Sequence, residues 1–374
     1  MKRIQGKRSA TLDIARGLTV MLMILVNHPG SWDFVYAPLL HAKWNGATLT
    51  DFVFPNFLFL VGVSIAISVR SKRRRGMRDS EVLLQAAIRS AKLFGLGVFL
   101  WLFPDFDWGQ IRWPGVLQRI AVCSFLAVCI ALWMTPRAQW ALIGTILILY
   151  AGALIYVPIP HMGDLAHTVG APDLSVPGMN VANYLDSRFL PGVLWEGTWD
   201  PEGLLSTLPA LVTTLLGMML APRFFNSMSG GREWIRFVLW GIGFIAAGLL
   251  ASQWLPLNKH IWTSSYVLYM AGYSILSLAV LVVFVEWLEW RRIFASASIF
   301  GSNAIFAYIL AGILTVFFYS DRVFPYNLSH QWMTWASGLG LPPATASALF
   351  AVLYVGVILA LTSLLHRRGV FLKI

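Results

Sequence analysis

The chain has 374 residues, of which 57% are hydrophobic and 12% charged, with a net charge of +11. Soluble chains carry about 25% charged residues, so there is too little polar residue here to coat two or three soluble domains. Seventeen tryptophans and a mean hydropathy of +0.68 point the same way, to an integral membrane protein.

A membrane-crossing helix needs about 20 mostly apolar residues. That ruler predicts about ten spans, near 12–29, 51–69, 83–103, 115–134, 138–158, 204–221, 234–254, 264–286, 297–318 and 343–365. The fold class expected is all-α, a polytopic bundle. Its runs are too long and too numerous for barrel strands, which alternate over about ten residues. The first span lacks a small-residue cleavage site and contains Asp13, Arg16 and Asn27, so it reads as a retained helix rather than a signal peptide. No repeat of 20–50 residues and no low-complexity linker interrupts the chain. A single membrane domain over 1–374 is expected.

Lysine and arginine set the orientation. Loops counted alternately from the N-terminus hold Lys2, Arg3, Lys7, Arg8, the run "RSKRRRGMR" (70–78), Arg137, Arg223, Arg232, Arg291, Arg292, Arg367, Arg368 and Lys373. The other loops hold only Lys43, Arg112, Arg188, Lys259 and Arg322. Both termini are therefore expected in the cytoplasm. The net charge then needs no nucleic-acid partner, since a basic face suits anionic lipid headgroups; an anionic cytosolic ligand is the other reading. Two outer loops are long, about 30–50 and 159–203. Loops beyond about 15 residues are commonly functional or disordered, and the tryptophans of the second argue for order. Packed on the first, it would roof a cavity.

Polar groups inside spans are costly and tend to face the bundle interior. Asp13 and Arg16 stand three apart on one helical face, as an ion pair would. Asn27 lies at the outer end of the same span, where its amide would bond a neighbouring helix or face a polar reaction centre. Arg89 and Lys92, near the cytoplasmic end of span three, are placed to snorkel. Gln118 and Arg119 lie more than a turn into span four, and that arginine needs a partner. Cys123 and Cys129, six apart on the same span, form neither a disulfide framework nor a metal site.

Among the seven histidines, His161 and His167 lack the i, i+4 spacing and carboxylate of a zinc-hydrolase motif, and no metal is expected. Phosphate-loop, dinucleotide and nucleophile-elbow patterns are absent. His41 differs by its company: "HAKWNGATLTD" places Trp44, Asn45 and Asp51 beside it at the start of span two. An imidazole titrates near neutral pH and suits general-base work, and Asp51 would orient the ring or favour its cation. A plain loop histidine is the competing reading.

Five stretches, "LDIARGLTVMLMILVNHPGSW", "HAKWNGATLTDFVFPNFLFLVGVSI", "GVLQRIA", "DPEGLLSTLPALVTTLLG" and "PLNKHIWTSSYVL", resemble the heparan-α-glucosaminide N-acetyltransferase family, transmembrane acyltransferases with a lysosomal branch and many bacterial members. The likeness recurs in order from about residue 9 to 308, and "VNHPGSW" with "YAPLLHAKWNG" resembles the bacterial branch. It implies transfer of acetyl from cytosolic acetyl-CoA to an amino sugar or saccharide across a bacterial inner membrane. On that resemblance His41 is the family histidine and general base, and Asn27 the family asparagine. Arg16, Arg119, Arg89 and Lys92 become donor-binding candidates, and Asp51, Asp13, Gln118, Trp44 and Asn45 substrate or supporting positions. The lysosomal members' additional N-terminal lumenal portion is not expected in this chain, which favours a small amino sugar or cell-envelope saccharide. A secondary transporter of a small polar solute, and an O-acyltransferase acting on an envelope glycan or lipid, are the alternatives. The acceptor, direct or ping-pong transfer, and a homodimer all stay open.

Overall fold

The computed structural model describes residues 9–160, 169–321 and 327–371. Thirteen α-helices occupy most of them: Ala10–Asn27 (α1), Leu49–Arg74 (α2), Asp79–Leu102 (α3), Val116–Trp133 (α4), Pro136–Tyr156 (α5), Val181–Phe189 (α6), Thr207–Ser227 (α7), Gly231–Ala251 (α8), Ser264–Val282 (α9), Ala295–Ser302 (α10), Ala304–Tyr319 (α11), Leu328–Gly338 (α12) and Pro343–Arg367 (α13). α9 runs on through a widened π-type turn at Val283–Trp287. A backbone that keeps its own hydrogen bonds is what a bilayer demands. Nine helices among the described residues are long and apolar enough to cross one, ten if the bent pair α10–α11 is a single span. The expected all-α polytopic class is borne out.

Helix starts follow local chemistry. The Ser9 hydroxyl accepts from Leu12 N at 3.4 Å, Thr135 Oγ1 from Ala138 N at 3.3 Å ahead of Pro136, and Asn180 Oδ1 from Asn183 N at 3.0 Å. Each satisfies an amide that the first turn leaves without a carbonyl.

Two compact units are present. The first comprises the residues up to 41, 48–57 and those from 277 onward. There α1 lies against α10 at backbone distance: a Cβ on Gly17 would come 1.7 Å from Ala297 O, and one on Gly301 1.8 Å from Asp13 O. The expected continuous span 297–318 is corrected here. It breaks at Asn303, and α10 and α11 meet at 87°. Asn303 leaves helical geometry at φ −131°, ψ 38°, and its amide donates to Val370 O at 3.3 Å. The docking of Gly301 on α1 holds α10 while the asparagine side chain takes over backbone-like bonding.

The second unit comprises residues 42–47 and 58–276. α7 is largely buried, packed on α4, α5 and α8. α2 crosses α7 through small residues: a Cβ on Gly62 would lie 1.9 Å from Thr214 O, and one on Gly217 2.0 Å from Phe59 O. Close helix approach without side chains is the usual route to packing in lipid, where apolar burial alone drives nothing. Gly217→Ala should therefore cost about 1–3 kcal/mol, as overpacking does. Gly144→Ala, on α5 with nothing within 4 Å, should be neutral. Equal unfolding temperatures for the two variants in detergent would refute the close-approach account.

The second long loop has structure of its own. It holds a two-residue antiparallel pair, Ile159–Pro160 with Val169–Gly170, and α6. His161 and His167 lie outside the described residues.

Candidate functional site

In the first unit, the chain reaches α2 through "ATLTD", and Asp51 falls in the first turn of the helix. Its Oδ2 accepts from Thr48 N at 3.0 Å and lies 3.0 Å from the Thr48 hydroxyl. That is the side-chain-to-cap half of a capping box, and a carboxylate is favoured at a helix N-terminus. The other oxygen, Oδ1, meets His41 Nδ1 at 2.7 Å. Asp51 is fully buried, whereas the His41 side chain is 38% exposed. One carboxylate thus starts the helix and orients the imidazole. In the neutral ring the proton sits on Nδ1, facing the carboxylate, and the basic lone pair is on Nε2.

Asn27 ends α1 with its side chain exposed. Asp13 and Arg16 pair at 3.3 Å, as their spacing predicted, and Arg16 Nη1 also donates to Gly301 O at 3.2 Å. His28 was not singled out in the sequence. Its Nδ1–H donates to Ile24 O at 2.8 Å, its Nε2 lies 3.1 Å from Thr315 Oγ1, and its ring stacks on Tyr354 with centroids 4.4 Å apart. The only sequence signal was its place in "VNHPGSW", beside Asn27.

In the second unit, the "WNG" and "LNKHIW" motifs come together. Trp44 Nε1 and Asn45 Nδ2 both donate to Leu174 O at 2.8 Å, joining the two long loops. Asn258 donates through Nδ2 to Asn45 Oδ1 at 2.9 Å, while its Oδ1 accepts from Ile261 N at 3.1 Å. The His260 ring stacks on Trp44 at 5.4 Å and 22°, and Trp199 meets both edge-on. Trp44 and Trp199 are buried, so they hold the loops together. Asn258 and His260 were missed as site residues; their marks were a place in "PLNKHIWTSSYVL" and a polar stretch directly ahead of an apolar run.

Arg119 is 2% exposed. Its Nη2 donates to Ser206 Oγ at 2.5 Å and Gly203 O at 3.2 Å, and the guanidinium lies 5.3 Å from the Trp262 ring centre. Among the described residues, Nε and Nη1 have no acceptor. Gln118 fills the space beside Gly97 and Gly115, where an added Cβ would come 2.2 and 2.6 Å from its Oε1. Arg89 and Lys92 are exposed on α3. Cys123 and Cys129 are free thiols, the first buried and the second half-buried. Among the described residues, no three His, Cys, Asp or Glu side chains gather as a metal site would require.

The segment before α7 is held by carboxylates. Asp186 on α6 accepts from Leu204 N at 2.8 Å and Asp200 N at 3.4 Å, and a Cβ on Gly203 would overlap its Oδ2. Burial pushes the Asp186 carboxyl up to about 6, against the opposing pull of those amides and of Arg119. A carboxyl whose pKa rises on folding favours the protonated native state. Its stabilisation is complete below the unfolded carboxylate range, near 4, and is lost as pH rises through about 6. Thermal unfolding in detergent should therefore show midpoints that fall over that window, and Asp186→Asn should flatten the slope. Parallel curves for the two proteins would remove Asp186 from the account.

Comparison with known proteins now bears on these arrangements. The family model described as "Heparan-alpha-glucosaminide N-acetyltransferase, catalytic" matches residues 8–191. The human heparan-alpha-glucosaminide N-acetyltransferase is 26% identical over 421 aligned residues, covering 98% of this chain and 60% of the human protein. Its mouse counterpart is 26% identical over 369 residues, covering 85% of this chain and 55% of its own. The chain thus spans little more than half the length of the relatives it matches. The matched stretch contains Asn27, His41, Asp51 and Arg119, and the resemblance read from the five motifs holds: the chain is similar to the heparan-alpha-glucosaminide N-acetyltransferases.

Proposed function

We propose that the protein is a membrane-bound acyltransferase that moves an acetyl group from cytosolic acetyl-CoA to an amino sugar or related saccharide on the opposite side. The observation that carries this reading is the His41–Asp51 pair at 2.7 Å, lying inside the stretch matched by the catalytic-domain pattern. His41 Nε2 takes the proton from the acceptor amine as its nitrogen attacks the thioester carbonyl. The C–N bond forms, the C–S bond breaks, and coenzyme A leaves as the thiolate, which the imidazolium then reprotonates. Asp51 holds the ring and offsets the positive charge that develops on it. Asn27 donates to the carbonyl oxygen as it becomes an oxyanion.

Acetyl-CoA supplies the donor. Arg119 offers the N–H of Nε and the two of Nη1 to donor oxygens, since buried guanidinium donors left without acceptors are costly. Arg89 and Lys92, both exposed on α3, are candidates for the donor's phosphates. The lysine and arginine bias supports a cytoplasmic basic face and an inner-membrane location. Acetyl-CoA should raise the unfolding temperature of the purified protein by mass action, and Arg119→Met should reduce that shift.

The decisive experiment incubates purified protein with labelled acetyl-CoA and separate panels of amino sugars and hydroxyl acceptors. Label on amines supports the proposal, and label on hydroxyls alone turns it into O-acylation. One observation favours a transporter instead: the break between α10 and α11 resembles the discontinuous helices that transporters use around a substrate. No transfer to either panel, together with no thermal shift at millimolar donor, would overturn the acyltransferase reading and favour the transporter.

A further inference from the structure

A cavity of about 470 Å³ lies at the arginine-rich end of α2, between that helix and α4, α5 and α7. Arg70, Arg73 and Arg74 line it, and none of its nine lining residues is acidic. Arg70 and Arg74 are one helical turn apart on the same face, and both are exposed. Arg73 is fixed as a post between them. Its Nε and Nη2 grip Asp79 at 3.1 and 2.9 Å, and Nη2 also reaches Leu132 O at 2.9 Å. That pair neutralises one of the three cations and leaves the other two to set the charge of the cavity.

The rest of the wall is hydrocarbon and thioether, with Val69 and Met218 buried behind it. Gln139 is the exception, and its amide nitrogen is spent on Met134 O at 2.9 Å and Ile130 O at 3.4 Å, which ties the start of α5 to the end of α4. Trp133, the last residue of α4, is 67% exposed beside this end. Exposed tryptophan at a helix end marks the depth of the lipid headgroups. The cavity therefore combines two guanidiniums at headgroup level with an apolar wall continuing along the spans.

We propose that this cavity binds the phosphate headgroup of an anionic phospholipid, with Arg70 and Arg74 on the phosphate and the acyl chains along Ala66, Ala131 and Met219. Basic pockets between spans hold acidic lipid headgroups in this way. A nucleotide phosphate shares the charge requirement. The wall, however, offers no aromatic face for a base and no amide donor that is not already used. The proposal does not depend on the acyl-transfer reading.

Native mass spectrometry of the full-length protein tests it, using an equimolar mixture of phosphatidylglycerol and phosphatidylcholine. The wild type should retain phosphatidylglycerol preferentially, and Arg70→Gln/Arg74→Gln should lower that preference about tenfold, given the attraction of each basic group to anionic lipid. Arg70→Lys/Arg74→Lys, which keeps the charge, should retain most of it and shows whether the glutamine variant merely misfolds. Millimolar coenzyme A should leave lipid retention unchanged. Equal retention of the two lipids by the wild type, or an undiminished preference in the glutamine variant, would overturn the proposal. Displacement of phosphatidylglycerol by coenzyme A from the wild type but not from that variant would overturn it in favour of a nucleotide-phosphate site.

Discussion

His41→Ala is expected to lower acetyl transfer by roughly 10²–10⁴-fold, the usual value of a positioned general base, while acetyl-CoA still stabilises the protein. The reason lies in the division of labour at Asp51. Its Oδ1 serves the imidazole, and its Oδ2 serves the first turn of α2. Asp51→Asn keeps an acceptor and a helix start but disturbs the proton on Nδ1. It should impair turnover with little loss of stability. Asp51→Ala removes both functions and should cost about 1 kcal/mol of helix capping besides. Rates and unfolding temperatures of the three variants separate orientation from folding. Full activity in His41→Ala would end the catalytic assignment, and an acetylated His41 trapped without acceptor would replace direct transfer by a two-step route.

Arg112→Ala should be the most destabilising single substitution outside the spans, by roughly 3–5 kcal/mol, because it strands a buried carboxylate. Arg112 meets Asp200 through Nε at 2.7 Å and Nη2 at 2.6 Å, and Nη2 reaches Glu202 at 2.7 Å. Asp200 is 1% exposed, and Trp195 and Trp101 cover the guanidinium at 5.0 and 5.5 Å. Buried pairs can often be replaced by apolar residues without loss. Here the double replacement Arg112→Met/Asp200→Leu should stay destabilised, because Asp200 also accepts from Trp195 N at 3.1 Å and Glu202 N at 2.9 Å. An unchanged unfolding midpoint in Arg112→Ala would show that the cluster is solvated and contributes little.

Both predictions act on groups that were unequally visible before the fold was known. The motif "TLTD" announces a helix start and "HAKWNG" a polar stretch ahead of it, but the ten-residue separation of His41 and Asp51 says nothing about their distance. Asn27 and Arg119 stood out because polar groups inside apolar runs are rare. The carboxylates that brace the second long loop did not, since acidic residues in a loop are ordinary.

What the residues determined unaided was local: most of the spans, and the Asp13–Arg16 pair at one helical turn. Those follow from hydropathy over about 20 residues and from a 3.6-residue period, which neighbours in the chain enforce on each other. The tertiary structure alone decided that Asn45 meets Asn258 across 213 positions and Arg112 meets Asp200 across 88. It alone broke the helix at Asn303, where Gly301 rests on the α1 backbone. Contacts of that kind depend on which helices can approach at backbone distance and which buried charges then need partners. Those conditions exist only once distant segments share the same space, so no window of sequence carries them.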